Sequence, residues 1–306
     1  MSGAVTETRG TWSKAVQSIR YLSSADNTQQ PMMFYKPQGD QPRPLLVALH
    51  SWSDDYRQPD SVIYSEWCIA NDWIFIHPNF RGQNRRPETT GSEFVIADVL
   101  SAIDYAKKNA PVDNTRIYAI GWSGGGFLAL LLSGRHPEIW AGVSVWGPIS
   151  DLNAWYEESV RLRTKYVAEI AASCGGKLTS DAAAAECRKR SPLTHLGSAR
   201  NIPIDISHGI RDGHAKNDPV PVSHSLWAFN LLAAPENRLT DEQMNYFIKE
   251  AGVPESLRNE TAGDDEGLKI LFRRQSGNVR LTIFDGGHIK NTAASMKWLN
   301  QRRRSQ

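Results

Sequence analysis

The sequence predicts an α/β fold whose sheet is mostly parallel and flanked by helices, and three observations carry that prediction. Short apolar runs recur along the chain, each followed by a loop rich in Gly, Pro, Asn or Asp and then by a segment of helical periodicity. One such segment, Phe127 to Leu132, is apolar almost all round, as befits a helix buried at the centre of the fold. A glycine-rich turn joins it to the strand before it. In chain order, Ser18 to Leu22 and Met32 to Tyr35 flank the turn-forming Ser24-Ala25-Asp26-Asn27 and read as an antiparallel hairpin at the first edge. The strands expected next are Leu45 to Leu49, Trp73 to His77, Arg116 to Ile120, Ala141 to Trp146, Pro203 to Ser207 and Val279 to Phe284. Between them Glu93 to Lys108 carries apolar residues at Phe94, Ala97, Leu100, Ile103 and Tyr105 and stops before Pro111, as a helix lying on a sheet does. From Ile149 to Arg200 the strand rhythm ceases, and Trp155, Tyr156 and Tyr166 among helix formers predict a helical cap, residues 150–200, inserted into a single domain spanning 1–306. Residues 241–267 read as a second, irregular surface excursion.

Composition narrows the function. The 306 residues include 35 basic and 33 acidic ones spread along the chain, a balance that offers no electrostatic footprint for nucleic acid. The densest basic run, Arg302-Arg303-Arg304, reads as a frayed, solvated tail. No apolar run approaches the ~20 residues of a membrane span, and Met1 to Arg20 lacks a leader-type hydrophobic segment, so a soluble protein is expected, either cytoplasmic or exported with its leader removed. Cys174 and Cys187 lie close enough for a local disulfide, and a reduced pair fits the spacing equally; no zinc-type pair is present and no cofactor is called for.

The chemistry centres on Gly121-Trp122-Ser123-Gly124-Gly125, a GxSxG pattern between a β-rich run and an apolar helix. Small flanking residues let the strand turn sharply and push the serine out, and the helix N-terminus favours negative charge beside it. A serine hydroxyl needs a base held by a carboxylate. His288 suits the base, because Asp285-Gly286-Gly287-His288 follows the last strand and its loop reaches back over the sheet edge. For the acid, Asp212 ends a short loop after the strand at Ile204, with Asp218 a competitor and Asp285 a weaker one. The order Ser123, Asp212, His288 is the chain order of α/β-hydrolases. Of the two N–H donors an oxyanion requires, Gly124 supplies one; the other is assigned to Trp52 in the loop after Leu45 to Leu49, with Ser51 next.

Four patches, Pro78-Asn79-Phe80-Arg81-Gly82, the Ser123 pentapeptide, His208-Gly209 to Asp212 with Val220-Pro221-Val222-Ser223, and Gly286-Gly287-His288, resemble the catalytic domain of the prolyl oligopeptidase-like group of α/β-hydrolases. The resemblance implies an eight-stranded, mostly parallel sheet and a Ser-Asp-His triad, in a group that holds both peptidases and esterases. Two departures stand out: His50-Ser51 replaces the usual His-Gly, and Gly213 to Asp218 lengthens the loop after the acid. Large members carry a β-propeller for which this chain has no room, which points to an esterase. Ten tryptophans, with Trp52, Trp122, Trp146 and Trp155 near the expected active edge, fit an aromatic-lined site for an acylated sugar or aryl ester, to which Arg81 is added as a substrate contact. Two rivals are weaker. A metal-dependent hydrolase would use His208, Asp212, His214 and Asp218, and would leave the Ser123 turn without purpose; a non-catalytic binding protein on the same fold would be expected to have lost one of the triad residues.

Overall fold

The computed structural model describes residues 10–214, 219–258 and 263–304. Its sheet has ten strands, in the order β1-β2-β4-β3-β5-β6-β7-β10-β9-β8. The first hairpin is β1 (Gln17–Leu22) and β2 (Gln29–Tyr35), antiparallel to each other and, through β2, to β4 (Ile74–Pro78). Six strands then run parallel: β4, β3 (Arg43–Leu49), β5 (Val112–Trp122), β6 (Gly142–Trp146), β7 (Ile204–Gly209) and β10 (Val279–Phe284). Side-chain alternation divides the core between two faces. Leu45, Val47, Ile117 and Ala119 pack on one side with α2 (Glu93–Asn109), α3 (Gly124–Arg135) and α8 (Ser223–Leu232). Leu46, Ala48, Tyr118 and Ile120 pack on the other with α1 (Val62–Ala70) and α10 (Thr292–Leu299). Burial on both faces is why the parallel strands read as continuous apolar runs.

Ten strands replace the eight expected. The additional pair is β8 (Gly263–Asp265) and β9 (Leu268–Ser276), which extend the sheet antiparallel beyond β10. Along β9 the buried Leu268, Ile270 and Phe272 alternate with more exposed residues, so the strand shows only a half-apolar pattern. The excursion at 241–267 is likewise more regular than expected. It holds α9 (Asp241–Glu250), whose capping box ties Thr240 and Gln243 reciprocally, and Phe247 of α9 is buried. The C-terminal basic run is not a frayed tail. The Arg304 N–H donates to the Thr115 carbonyl at 3.0 Å, the Tyr118 hydroxyl donates to the Arg302 carbonyl at 2.6 Å, and the Arg302 guanidinium lies 4.5 Å from the Trp298 ring centre.

Residues 150–200 contain α4 (Leu152–Leu162), α5 (Tyr166–Ser173), α6 (Asp181–Arg190) and the single turn α7 (Pro192–His195). A disulfide joins Cys174, which follows α5, to Cys187 on α6. Asp151 caps α4 by accepting from the N–H groups of Asn153 and Ala154. Arg190, almost fully buried, donates to the carbonyls of Pro87 and Thr89 and so fastens α6 to the loop that precedes α2.

Candidate active site

The C-terminal ends of β3, β5, β6, β7 and β10, consecutive in the sheet, bring the sequence-predicted residues together. Ser123 links β5 to α3 with φ 58° and ψ −121°, a strained conformation for a residue with a side chain. Its N–H donates to the Trp146 carbonyl and its own carbonyl accepts from Phe127, both at 2.9 Å, so strand and helix each hold one side of the turn. The neighbouring glycines are dictated by space. A Cβ on Gly125 would stand 2.1 Å from the Leu49 carbonyl oxygen, and one on Gly124 would stand 2.4 Å from the Trp52 backbone nitrogen. The β3 loop and the head of α3 therefore abut, backbone against backbone.

That contact orders the donor candidates. The N–H of Gly124 lies in the first turn of α3, where the helix itself offers no acceptor. The N–H of Ser51 is committed to Gln58 Oε1 at 2.8 Å, which leaves Trp52 as the better-placed residue of its loop. Trp52 is held from three sides: its carbonyl accepts from Asn84 N–H at 2.9 Å, its indole N–H donates to Glu169 at 2.9 Å, and its ring meets Trp155 edge-on at 4.7 Å. His50, two residues earlier, is buried and stacked on Phe80 at 3.7 Å, and burial pushes its pKa down.

His288 and Asp212 form the tightest polar contact of the site, with Nδ1 2.5 Å from Oδ2. Asp212 is buried, and its other oxygen accepts from Val220 N–H at 3.0 Å. Burial alone raises a carboxyl pKa; here the charge of His288 and the hydrogen bonds from His208 and His288 outweigh it and hold Asp212 well below the usual carboxylate range. Asp285, the weaker candidate, pairs instead with Arg211, with Lys269 at 3.8 Å. Asp218 lies outside the described residues. The metal reading needs His208, yet both of its ring nitrogens face protein partners, Ser225 Oγ at 2.7 Å and the Val220 carbonyl at 2.9 Å.

Four tryptophans and one arginine were expected around this edge, and the structure separates them. Trp122 is half-buried with its ring centre 5.0 Å from that of His288. Trp146 turns away from the site: its indole N–H donates to Ser295 Oγ on α10 at 2.6 Å, because alternation along β6 sends its side chain to the α10 face. Trp155 is not a substrate contact either; it is 1 % exposed and its indole N–H donates to the Pro219 carbonyl at 2.9 Å, making it a strut between α4 and the loop before α8. Arg81 is spent elsewhere, giving two hydrogen bonds to the buried Asp98 at 2.8 and 3.0 Å and two to Asp26 at 2.7 and 3.0 Å. A fork-shaped guanidinium facing a buried carboxylate is held in place by it.

Sequence reasoning missed Gly147 and placed Tyr166 only among the aromatic residues of the cap. A Cβ on Gly147 would stand 3.1 Å from Nδ1 of His288 and 3.3 Å from Oδ2 of Asp212 and would crowd the pair, and the φ of 49° at this residue favours glycine as well. A glycine directly after a strand, in Trp146-Gly147-Pro148, was the available signal. Tyr166 packs 4.6 Å from Trp155; burial, then the charges of Glu169 and Asp212, push its phenol pKa up.

This architecture, a parallel sheet with a serine on a strained strand-to-helix turn and a His–Asp pair at the same edge, is that of the α/β-hydrolase fold. The chain belongs to the prolyl oligopeptidase family, whose model matches residues 65–250, more than half of its length. It is similar to feruloyl esterase B of Thermothelomyces thermophilus, 26 % identical over 144 residues that make up 44 % of this chain and 50 % of that protein. It is also similar to acylamino-acid-releasing enzyme 1 of Oryza sativa subsp. japonica, 22 % identical over 195 residues, 55 % of this chain and 24 % of that one. The chain thus spans half or less of the length of these relatives. Among solved structures, the uncomplexed acylaminoacyl peptidase of Pyrococcus horikoshii superposes with a TM-score of 0.55 at 20 % identity, covering 71 % of this chain and 34 % of that one. A thermostable esterase superposes with a TM-score of 0.53 at 15 % identity, covering 95 % and 63 %.

Proposed function

We propose that the protein is a serine hydrolase that cleaves acyl esters through an acyl-enzyme, with Ser123 as nucleophile, His288 as base and Asp212 as the acid that orients it. One observation carries the reading: the strained Ser123 donates its N–H to the carbonyl of Trp146, and the next residue, Gly147, abuts both His288 and Asp212. In the proposed sequence His288 takes the Ser123 hydroxyl proton as Oγ attacks the ester carbonyl carbon. The N–H groups of Gly124 and Trp52 receive the negative oxygen of the tetrahedral intermediate. The imidazolium then passes its proton to the departing alcohol, leaving an acyl group on Ser123. A water, deprotonated by His288, attacks that acyl group and releases the acid, and the proton returns to Ser123. The imidazolium that forms at each stage is stabilised by the Asp212 carboxylate.

For the substrate we propose an acylated carbohydrate or an aryl ester. Two things support it: the half-buried Trp122 beside His288, which offers an aromatic face near where the alcohol leaves, and the similarity to a feruloyl esterase. The test combines labelling with a turnover screen. A fluorophosphonate should label the wild type and not Ser123→Ala, and acetyl and feruloyl esters should be turned over faster than aminoacyl amides. Ser123→Ala should lower turnover at least about a thousandfold with an unchanged melting temperature. Undiminished labelling of that variant would refute the nucleophile, and a preference for the amides would make the enzyme a peptidase.

A further inference from the structure

Asp212 is gripped by a second histidine that no step of the proposed reaction uses. His208 lies near the end of β7 and is fully buried. Its Nε2 stands 2.9 Å from the Val220 carbonyl oxygen and 3.3 Å from Oδ2 of Asp212, the oxygen that also takes the bond from His288. Both neighbours are acceptors, so Nε2 has to carry a proton. Ser225 Oγ, on α8, stands 2.7 Å from Nδ1. A neutral imidazole protonated at Nε2 presents a lone pair at Nδ1, and the Ser225 hydroxyl donates into it. The opposite tautomer would aim a lone pair at a carboxylate and a carbonyl, inside a protein interior that screens repulsion poorly.

We infer that His208 and Ser225 are positioning residues that lock the Asp212 carboxylate and, through it, set the direction and basicity of His288, an inference that rests on the triad reading above. Oδ1 of Asp212 is fixed by Val220 N–H, and Oδ2 is shared between two imidazoles. A carboxylate whose charge is divided among three donors stabilises the imidazolium of His288 less than one that serves His288 alone, so His208 tempers the base while aligning it. Other charged or titratable groups around the network are Tyr166 of α5, whose phenol responds to Asp212, the rim residues Arg211, Asp285 and Lys269, which pair among themselves, and His224 of α8, next to Ser225, which pairs with Glu158 of α4 at 2.9 Å. The variants proposed below leave all six in place.

The experiment measures kcat and KM for p-nitrophenyl acetate across pH in the wild type, His208→Phe, His208→Gln and Ser225→Ala, with fluorophosphonate labelling of the wild type as a check on the triad. His208→Phe should lower kcat about ten- to a hundredfold with little change in KM. It should also move the acid limb of kcat/KM to higher pH, because Asp212 then serves His288 with less competition. His208→Gln, whose carboxamide offers an N–H to the same oxygens and an oxygen to Ser225, should recover most of both effects. Ser225→Ala should show a smaller shift in the same direction, and it stays informative if His208→Phe does not fold. Wild-type kcat and an unmoved acid limb in folded His208→Phe or in Ser225→Ala would overturn the inference. Equal losses in the Phe and Gln variants with an unmoved limb would mark a packing role and overturn it too. A wild type that resists the fluorophosphonate would instead overturn the triad reading on which the inference stands.

Discussion

Asp98 and Asp212 are both buried carboxylates held by nitrogen donors, and they are held differently. Asp98, on α2, gives its two oxygens to a single guanidinium, that of Arg81, which also reaches Asp26 in the hairpin turn. A guanidinium does not release its protons, so this contact ties three segments together without moving a proton. Asp212 divides its oxygens among a backbone N–H and two imidazoles, side chains that, unlike a guanidinium, have a neutral form with a lone pair on the ring. One of those imidazoles, His288, stands at the strand ends beside a strained serine. A buried charge thus marks a candidate site when its partner titrates and when that partner lies where a reacting group can arrive. Without those conditions it marks a clamp.

The largest effect that tests this contrast is on catalysis. Asp212→Asn should lower kcat by roughly 10³ to 10⁴, because the wrong tautomer of His288 is then favoured, while Asp218→Asn should cost far less in the same steady-state assay. The reverse order would transfer the acid to Asp218. Next in size is the clamp. Arg81→Met leaves Asp98 buried without its counter-charge and should cost about 3–5 kcal/mol in a denaturant titration. Activity per folded molecule should hold, and a raised KM with undiminished stability would return Arg81 to the substrate. The smallest effect separates the networks by pH. His77 is buried, with Nδ1 2.8 Å from the Tyr56 carbonyl, and burial followed by the nearby His50 pulls its pKa down to about 3. The unfolded chain, at its ordinary value of ~6.5, binds a proton that the folded protein refuses, so stability is complete above about pH 6.5 and is lost as pH falls toward 3. The share of His77 should reach about 2 kcal/mol at pH 5 in urea melts and disappear in His77→Phe, leaving the share of His50, whose pKa burial also lowers. Asp212, held below the carboxylate range, keeps its contribution until pH falls under about 4, so an acid transition confined to that lower window would contradict the assignment to His77.

The central parallel strands and the three residues of the proposed triad were legible in the sequence because each has a local signature. Leu45 to Leu49 is apolar on both faces, the turn at Ser123 needs glycines on either side, and Asp212 and His288 each follow a strand by a few residues. What was illegible depends on which way a side chain turns or on who meets it. Trp146 and Trp155 have the composition of a binding wall, and only alternation along β6 and the path of α4 reveal that one faces α10 and the other the loop before α8. Arg81 belongs to a patch shared with hydrolases, yet its role is decided by Asp98 and Asp26, 17 and 55 residues away in the chain. β9 escaped notice because its apolar alternation, Leu268, Ile270 and Phe272, gives way to Arg273, Arg274 and Gln275 in succession. The contact of His208 with Ser225 was equally illegible, since nothing local announces that the two will meet across 17 residues.

The sheet order also bears on how the protein comes to life. Ser123 follows β5, Asp212 follows β7 and His288 follows β10, and the bond between the last two closes a loop of 76 residues. Pairings of this span come late, because the entropy of closing such loops has to be overcome before the contacts repay it. Helices such as α2, by contrast, can form from local bonds. During refolding, helical signal should therefore return ahead of the ability of Ser123 to react with a fluorophosphonate, which waits on the parallel pairing of β7 with β10 that brings Asp212 and His288 together.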